Sequence, residues 1–166
     1  MYWISYLTFP FARCSSVGPA EDGRIKPDIV APGMGILSAC ARPGTSYECD
    51  PASKPTGGSG ADDGIMFMSG TSMATPVASG TAALVRQYFM DGFYPTGTKV
   101  SSNAMTPSAA LVKAVLMNSG KAMTAIRNKL SYLTASTTPS SMYDNFQGFG
   151  RITLGDTLKL DGFNDI

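Results

Sequence analysis

Short apolar runs alternate with longer segments of small and apolar residues along the chain, a pattern that predicts strands followed by helices. Three runs are predicted strands, because each is apolar and lies next to Pro, Gly or Ser: DIVAPG (28–33), GILSACA (35–41) and IMFM (65–68). Residues 42–64 are rich in Pro, Gly, Ser and Asp and are predicted to form a long loop. No internal repeat is found.

The segment from Ser72 to about Met90 predicts a buried helix. Its only charged residue is Arg86, and alanine, serine and glycine keep it thin, so neighbouring backbones could approach it from every side. Pro76 is expected in the first turn of this helix, where the loss of a backbone donor costs least.

A second helix is predicted in TPSAALVKAVLMNSG (106–120). Thr106 is the expected N-cap, Pro107 the first helical residue and Gly120 the stop. The residues expected to form its apolar face are Ala110, Leu111, Ala114, Val115 and Met117.

Composition allows a globular domain and excludes some partners. With 166 residues, 43% hydrophobic and 15% charged, the chain suffices for one domain with a core, or for part of a larger one. A net charge of +1 lacks the basic excess of nucleic-acid binders. No stretch is long and apolar enough to span a membrane. Residues 1–13 are interpreted as a buried strand or the ragged start of an incomplete chain rather than a signal peptide.

Neither the cysteines nor the acidic clusters indicate a metal site. Cys14, Cys40 and Cys49 are too few for a disulfide scaffold, and their spacing without histidine does not fit structural zinc. A local bridge between Cys40 and Cys49 and free thiols both stay open. Asp62-Asp63 and LDGFND (160–165) lack the spacing of a calcium loop and are interpreted as solvated turns. We therefore predict no metal and no cofactor.

Ser72 lies where a serine has chemical use. It follows a predicted strand and a tight turn and opens a helix, whose free N–H groups favour developing negative charge. Serine is also a preferred N-cap, so a structural role is the alternative. A serine nucleophile needs a base, usually imidazole, and the chain contains no histidine.

Five stretches of the sequence, taken together, resemble the subtilisin-like serine proteases (subtilases, peptidase S8). GTSMATPVASG (70–80) is similar to the family's serine motif, and DGRIKPDIVAPG (22–33) to the segment preceding it. CSSVGP (14–19) resembles the family's Phe-Ser-Ser-Arg-Gly-Pro stretch, with Cys14 in place of Phe and Val17 in place of Arg. PSAALVKAVLMNSG (107–120) and QGFGRI (147–152) are similar to segments that close the catalytic domain. The resemblance runs from about residue 14 to 155, in the family's order.

The resemblance implies a serine endopeptidase acting on polypeptide substrates through an acyl-enzyme. Ser72 matches the nucleophile, Thr71 the residue beside the oxyanion site and Gly70 the hinge glycine that lets substrate approach. In the family the triad Asp and His and the oxyanion Asn precede the serine, and they have no counterpart here. The chain is therefore expected to be the C-terminal part of the catalytic domain, nearly inert alone, with the missing N-terminal half as its partner.

The implied fold is a three-layer α/β/α subtilisin-like fold with a mainly parallel sheet, present only as its C-terminal portion. Residues 14–158 are expected to belong to the peptidase domain, and residues 159–166 to a tail or the start of a missing downstream region. Family habit favours secretion. A catalytically inactive remnant with a packing or regulatory role stays open, and GGSGADDG (57–64) is interpreted as a flexible loop rather than a nucleotide site.

Overall fold

The computed structural model describes residues 15–39, 65–123, 143–164 and 166. Its helices and strands are, in chain order, β1 (Ile36–Ala39), β2 (Ile65–Met68), α1 (Thr71–Met90), α2 (Ala109–Asn118), β3 (Gly120–Lys121) and β4 (Arg151–Ile152). Two 3₁₀ turns lie at Ser101–Asn103 and Leu154–Asp156. The chain therefore combines short strands with two helices, the α/β class expected from the sequence.

The strand pairing is mostly antiparallel. β1 pairs with β2 so that Ile36 lies opposite Met68, and β3 pairs with β4. Among the residues that the structure describes, parallel pairing is limited to a single bridge, between Val30 and Arg151. Within the described ranges the expected mainly parallel sheet is therefore not formed. The three-layer arrangement stays a prediction.

The strand predictions have mixed outcomes. The strands predicted in 35–41 and 65–68 are confirmed as β1 and β2, except that residues 40 and 41 lie outside the described part. The strand predicted at 28–33 is reduced to the bridge at Val30. There the backbone still follows a neighbouring segment: the N–H of Val30 donates to Gly150, and the N–H of Ile152 donates to Val30.

Helix α1 has 20 residues and begins immediately after the turn that follows β2. Pro76 lies in its second turn rather than its first, so the carbonyl of Ser72 receives no i→i−4 hydrogen bond. The helix ends in a Schellman motif, in which the N–H of Phe93 donates to Tyr88 and the N–H of Gly92 donates to Phe89. Gly92 has φ 75°, the left-handed conformation that such an ending requires.

Helix α2 begins two residues later than its sequence predicts. Ser108, not Thr106, is the N-cap, and its Oγ accepts a hydrogen bond of 3.1 Å from the N–H of Leu111. Pro107 therefore precedes the helix. The predicted apolar face is confirmed in part, because Leu111 and Val115 pack against the core. Ala110 and Ala114 are instead exposed, and Leu116, which was not predicted, is buried.

The core lies where α1 packs against α2. Its buried residues are Val85, Tyr88, Phe89 and Leu116. The first three are spaced i, i+3 and i+4, so they lie on one face of α1. Other faces of the helix are open, and the Leu84 side chain is 57% exposed. The prediction that α1 is buried on every side is therefore wrong for the part of the chain that the structure describes.

Residues 154–164 pack against this core. Leu154, Leu158 and Leu160 contact it, and the N–H of Asp161 donates to Gly97 at 3.1 Å. Asn164 ties the segment to itself, since its Oδ1 accepts from the N–H of Leu160 and its Nδ2 donates to Leu158. The described part of 159–166 thus contacts the body of the chain, and the position of the domain boundary stays a prediction.

Candidate active site

Ser72 is the second residue of α1 and is exposed to solvent. β2 ends at Met68, so only Ser69 and Gly70 separate the strand from the helix. The predicted order of strand, short turn, exposed serine and helix is therefore confirmed. Thr71, the first helical residue, is also exposed, and Gly70 is the N-cap.

The amino end of α1 presents backbone donors beside Ser72. Gly70 provides no side-chain cap, and the first turn contains no acidic residue. The N–H groups of Thr71 and Ser72 have no partner within the helix, because the first four N–H groups of any helix lack an i−4 carbonyl. Together with the helix dipole, these groups favour negative charge at this end. The arrangement could stabilise an oxyanion.

A cavity of about 390 Å³ borders Ser72. It lies between the β1–β2 pair and α1 and is lined by Ile36, Ser38, Ala39, Met68, Ser72, Met73, Pro76 and Val77. Most of these side chains are apolar, so the cavity suits an aliphatic or aromatic group placed next to the serine hydroxyl. Ser72 is therefore not packed into the core, and the alternative that it is the helix N-cap does not apply, because Gly70 occupies that position.

A larger cavity of about 520 Å³ lies between α1 and α2, away from Ser72. Its lining includes Asp28, Arg86 and Lys113 but neither serine nor threonine. Burial opposes ionisation of Asp28, but the hydrogen bond from Lys26 and the nearby charge of Lys113 outweigh it and lower the pKa of the carboxyl. Lys113 Nζ is 3.4 Å from Asp28 Oδ2. These ion pairs stabilise the segment before β1 rather than provide a nucleophile.

The turn before Ser72 is held by residues 33–35. The N–H of Gly70 donates a hydrogen bond of 2.7 Å to the carbonyl of Gly33. The N–H of Gly35 donates one of 2.8 Å to Ser69 Oγ. The contacts of Gly33 and Ser69 were not predicted from the sequence. Pro32 and Gly33 indicated only the end of a strand, and no local signal connects Gly33 with a glycine 37 positions later.

No base for a serine nucleophile lies beside Ser72 among the residues that the structure describes. The chain has no histidine. Across residues 15–39, 65–123 and 143–164, no side chain forms a hydrogen bond with Ser72 Oγ. The site geometry therefore contains a candidate nucleophile and oxyanion donors, without the group that would take the proton.

Predictions about cysteines and acidic clusters fall mainly outside the described residues. Cys14, Cys40, Cys49, Asp62 and Asp63 all lie there. Where the structure does describe the chain, no group of three or more His, Cys, Asp or Glu side chains could hold a metal ion. Within the same ranges, no helix has both the length and the hydropathy to cross a bilayer.

Comparison with known proteins gives a family-level match. The model of a family described as the subtilase family matches residues 10–150. The serine protease/ABC transporter B family protein tagD of Dictyostelium discoideum is 37% identical over 155 residues, covering 89% of this chain and 8% of that protein. Pyrolysin of Pyrococcus furiosus is 45% identical over 84 residues, covering 51% of this chain and 5% of that protein.

A bacterial serine protease is also similar to part of this chain. Serine protease AprX of Bacillus subtilis is 45% identical over 76 residues, which cover 46% of this chain and 16% of that protein. The chain thus spans 8% of the length of tagD and a small part of each of the other two. No solved structure matches the chain significantly.

Proposed function

The chain belongs to the subtilase family, and we propose that it supplies the nucleophile of a serine-type endopeptidase, Ser72. The observation that carries this proposal is the position of Ser72, exposed at the amino end of α1 and bordering a cavity of about 390 Å³. Ser72 is not the N-cap of α1, which is Gly70, so capping does not account for a serine at this position. The cavity and the exposure are both expected of a side chain that meets a substrate.

The chemistry follows from this position. Ser72 Oγ attacks the carbonyl carbon of a peptide bond while a base takes the hydroxyl proton, and the carbonyl oxygen becomes an oxyanion. The N–H of Ser72, at the positive end of α1, donates to that oxyanion, and Thr71 lies beside it. Collapse expels the amine, which receives the proton from the base, and leaves an acyl-enzyme. Water then hydrolyses the ester and restores Ser72.

The base and its acidic partner are proposed to come from an N-terminal half of the same catalytic domain. The chain has no histidine, and a positioned base is worth about 10² to 10⁴ in rate, so the chain alone is expected to be nearly inert. The open faces of α1 support this arrangement, because Val77, Leu84 and Met90 are exposed there. In a complete three-layer α/β/α domain with a mainly parallel sheet, such faces would be covered.

Gly70 is proposed to keep the approach to Ser72 open. A Cβ added at this position would have Met73 Sδ at 3.8 Å as its nearest neighbour, so the surroundings of Gly70 are open. Polypeptide is the proposed substrate class, and the cavity lining favours an apolar side chain close to the scissile bond.

A catalytically inactive remnant is the second candidate function. It is favoured by one observation, the absence of any histidine in a chain that carries a serine motif. Such a remnant would keep the fold for packing or regulation and would not hydrolyse peptides.

Hydrolysis of a peptide amide by the full-length protein separates the two candidates. The endopeptidase proposal predicts turnover that Ser72→Ala reduces by at least about 10³. Ser79→Ala is the matched control, since Ser79 is also an exposed serine of α1, and should retain full activity. Absence of turnover in the unaltered full-length protein, or equal turnover in Ser72→Ala, would contradict the proposal.

A further inference from the structure

We propose that the segment Gly33–Gly35 positions Ser72 through two hydrogen bonds to the turn that precedes it. One joins Gly33 to Gly70, and the other joins Gly35 to Ser69. This inference rests on the proposed nucleophilic role of Ser72 and adds two residues to it. Neither Gly33 nor Ser69 touches the reacting atoms. Gly33 contacts the two-residue turn that connects β2 to α1, and Ser69 belongs to that turn, so both determine where the Ser72 hydroxyl lies.

The first contact joins Gly33 to the N-cap of α1. The carbonyl of Gly33 accepts a hydrogen bond of 2.7 Å from the N–H of Gly70, two residues before Ser72. The two backbones are so close that a Cβ added to Gly33 would lie 2.7 Å from the Gly70 oxygen and 3.1 Å from Ala74 Cβ. The first distance is to backbone and too short for real Cβ atoms, so a side chain at position 33 must displace the turn.

The contrast with Gly70 locates the steric demand. A Cβ added to Gly70 would meet only Met73 Sδ at 3.8 Å and the Ser72 nitrogen at 3.9 Å, both ordinary contacts. The family motif points to Gly70, yet the position without space for a side chain is Gly33. Neighbouring atoms therefore restrict position 33, which lies 37 residues earlier in the chain, whereas Gly70 is restricted by its own φ of 159°, which other residues rarely adopt.

The second contact joins Gly35 to the other residue of the turn. The N–H of Gly35 donates a hydrogen bond of 2.8 Å to Ser69 Oγ. β1 begins at the next residue, Ile36, which pairs with Met68 at the end of β2. The turn is thus held at both of its residues by one segment, which limits its movement relative to the sheet.

Displacement of this turn should reduce the rate of the chemical step more than the affinity for substrate. A nucleophile misplaced by about 1 Å can cost about 10² in rate, because attack needs aligned atoms at close distance. The cavity beside Ser72 is lined mainly by side chains of β1 and α1, and none of them is altered by a change at position 33 or 69. We therefore expect kcat to fall while KM stays within about twofold.

The first test is Gly33→Ala in the full-length protein, with Gly80→Ala as the matched control. Gly80 lies in α1 and has no atom within 4 Å of an added Cβ. Kinetics with a peptide amide and the second-order rate of labelling by a fluorophosphonate are measured on samples with equal thermal midpoints. Gly33→Ala is expected to lower kcat and the labelling rate by about 10², and Gly80→Ala to change neither. Equal rates in the two variants would overturn the proposal.

The second test adds no atoms to the crowded backbone and remains informative if Gly33→Ala fails to fold. Ser69→Ala removes the hydroxyl that accepts from Gly35, and Ser69→Thr keeps it. We expect Ser69→Ala to lower kcat about fivefold, as for one ordinary hydrogen bond, and Ser69→Thr to restore it. A Ser69→Ala variant as fast as the unaltered protein, or a Ser69→Thr variant equally slow, overturns the role of this contact.

Failure of the proposed function gives a different result. If the fluorophosphonate does not label Ser72 in the unaltered full-length protein, the nucleophile assignment falls and the positioning role falls with it. If Ser72 is labelled at the same rate with and without the changes at positions 33 and 69, only the positioning role is overturned.

Discussion

The phenol hydroxyl of Tyr88 donates a hydrogen bond of 3.0 Å to the backbone carbonyl of Lys159, 71 residues further along the chain. The Tyr88 ring is buried and packs edge-to-face on Phe89, with ring centroids 5.4 Å apart. The hydroxyl thus connects residues 154–164 to the last turn of α1. It connects the core to a segment that the sequence suggested was partly a tail.

Tyr88→Phe should lower the free energy of unfolding by about 0.5–1.5 kcal/mol, because the ring stays in place while the Lys159 carbonyl loses its donor. Chemical denaturation of the full-length protein measures the change. Tyr94→Phe is the control, since Tyr94 is 54% exposed, and it should shift the midpoint little. Equal effects of the two changes would argue against a structural role for the Tyr88 hydroxyl.

Ser108→Ala should destabilise α2 by about 1 kcal/mol, because the N–H of Leu111 loses the side-chain acceptor that caps the helix. Ser108→Asp keeps an acceptor at the same position and should retain most of the stability. The measurement is the denaturation midpoint of each variant. If Thr106 were the cap, as the sequence suggested, Thr106→Ala would instead be the costly change.

Asp28→Asn should remove an acid-sensitive contribution to stability. Lys26 and Lys113 together lower the pKa of Asp28 in the folded chain, so its ionised form stabilises folding above the unfolded value of about 3.9. That contribution, about 1 kcal/mol, is lost as pH falls through the lowered folded pKa. Stability measured between pH 7 and pH 2 should therefore converge for the two proteins at the acid end. Glu21→Gln, an exposed change of equal charge, is the control and should change the unfolding free energy at pH 7 by less than about 0.5 kcal/mol.

Leu84→Gln should have different effects in the chain alone and in the full-length protein. Leu84 is 57% exposed here, so polar substitution in residues 1–166 alone should change the unfolding free energy by less than about 0.5 kcal/mol. If an N-terminal half covers α1, the same change in the full-length protein should cost about 1.5–3 kcal/mol. Equally small effects in both would contradict the proposal that this face is covered.

How much could be predicted from the sequence depends on the range of the interactions involved. β1, β2 and the start of α1 follow from local patterns, so the place of Ser72 at a helix N-terminus could be predicted. The start of α2 was misplaced because Thr106 and Ser108 are both good caps, and only tertiary packing decides between them. The hydrogen bond from the N–H of Gly70 to the carbonyl of Gly33 could not be predicted, since nothing local at Gly33 indicates a backbone contact 37 positions away.

The burial of α1 was overestimated for a related reason. A helix of small apolar residues predicts close neighbours, but the sequence of the helix does not say which part of a protein supplies them. Val85, Tyr88 and Phe89 find theirs in α2 and residues 154–164, whereas Leu84 does not within the described residues. The prediction of a packed helix holds for the carboxyl-terminal part of α1, where Val85, Tyr88 and Phe89 are buried, and the covering of its other faces by a missing half stays a prediction.

The most direct test of the account is the site of fluorophosphonate attachment in the full-length protein, determined by peptide mapping with mass spectrometry. One stoichiometric adduct on Ser72 is expected, lost in Ser72→Ala and kept in Ser79→Ala, because the exposed Ser72 hydroxyl lies beside the free N–H donors at the start of α1, whereas Ser79 lies about two turns further along the helix. An adduct on a different serine, or no adduct in a protein that hydrolyses peptides, would contradict it.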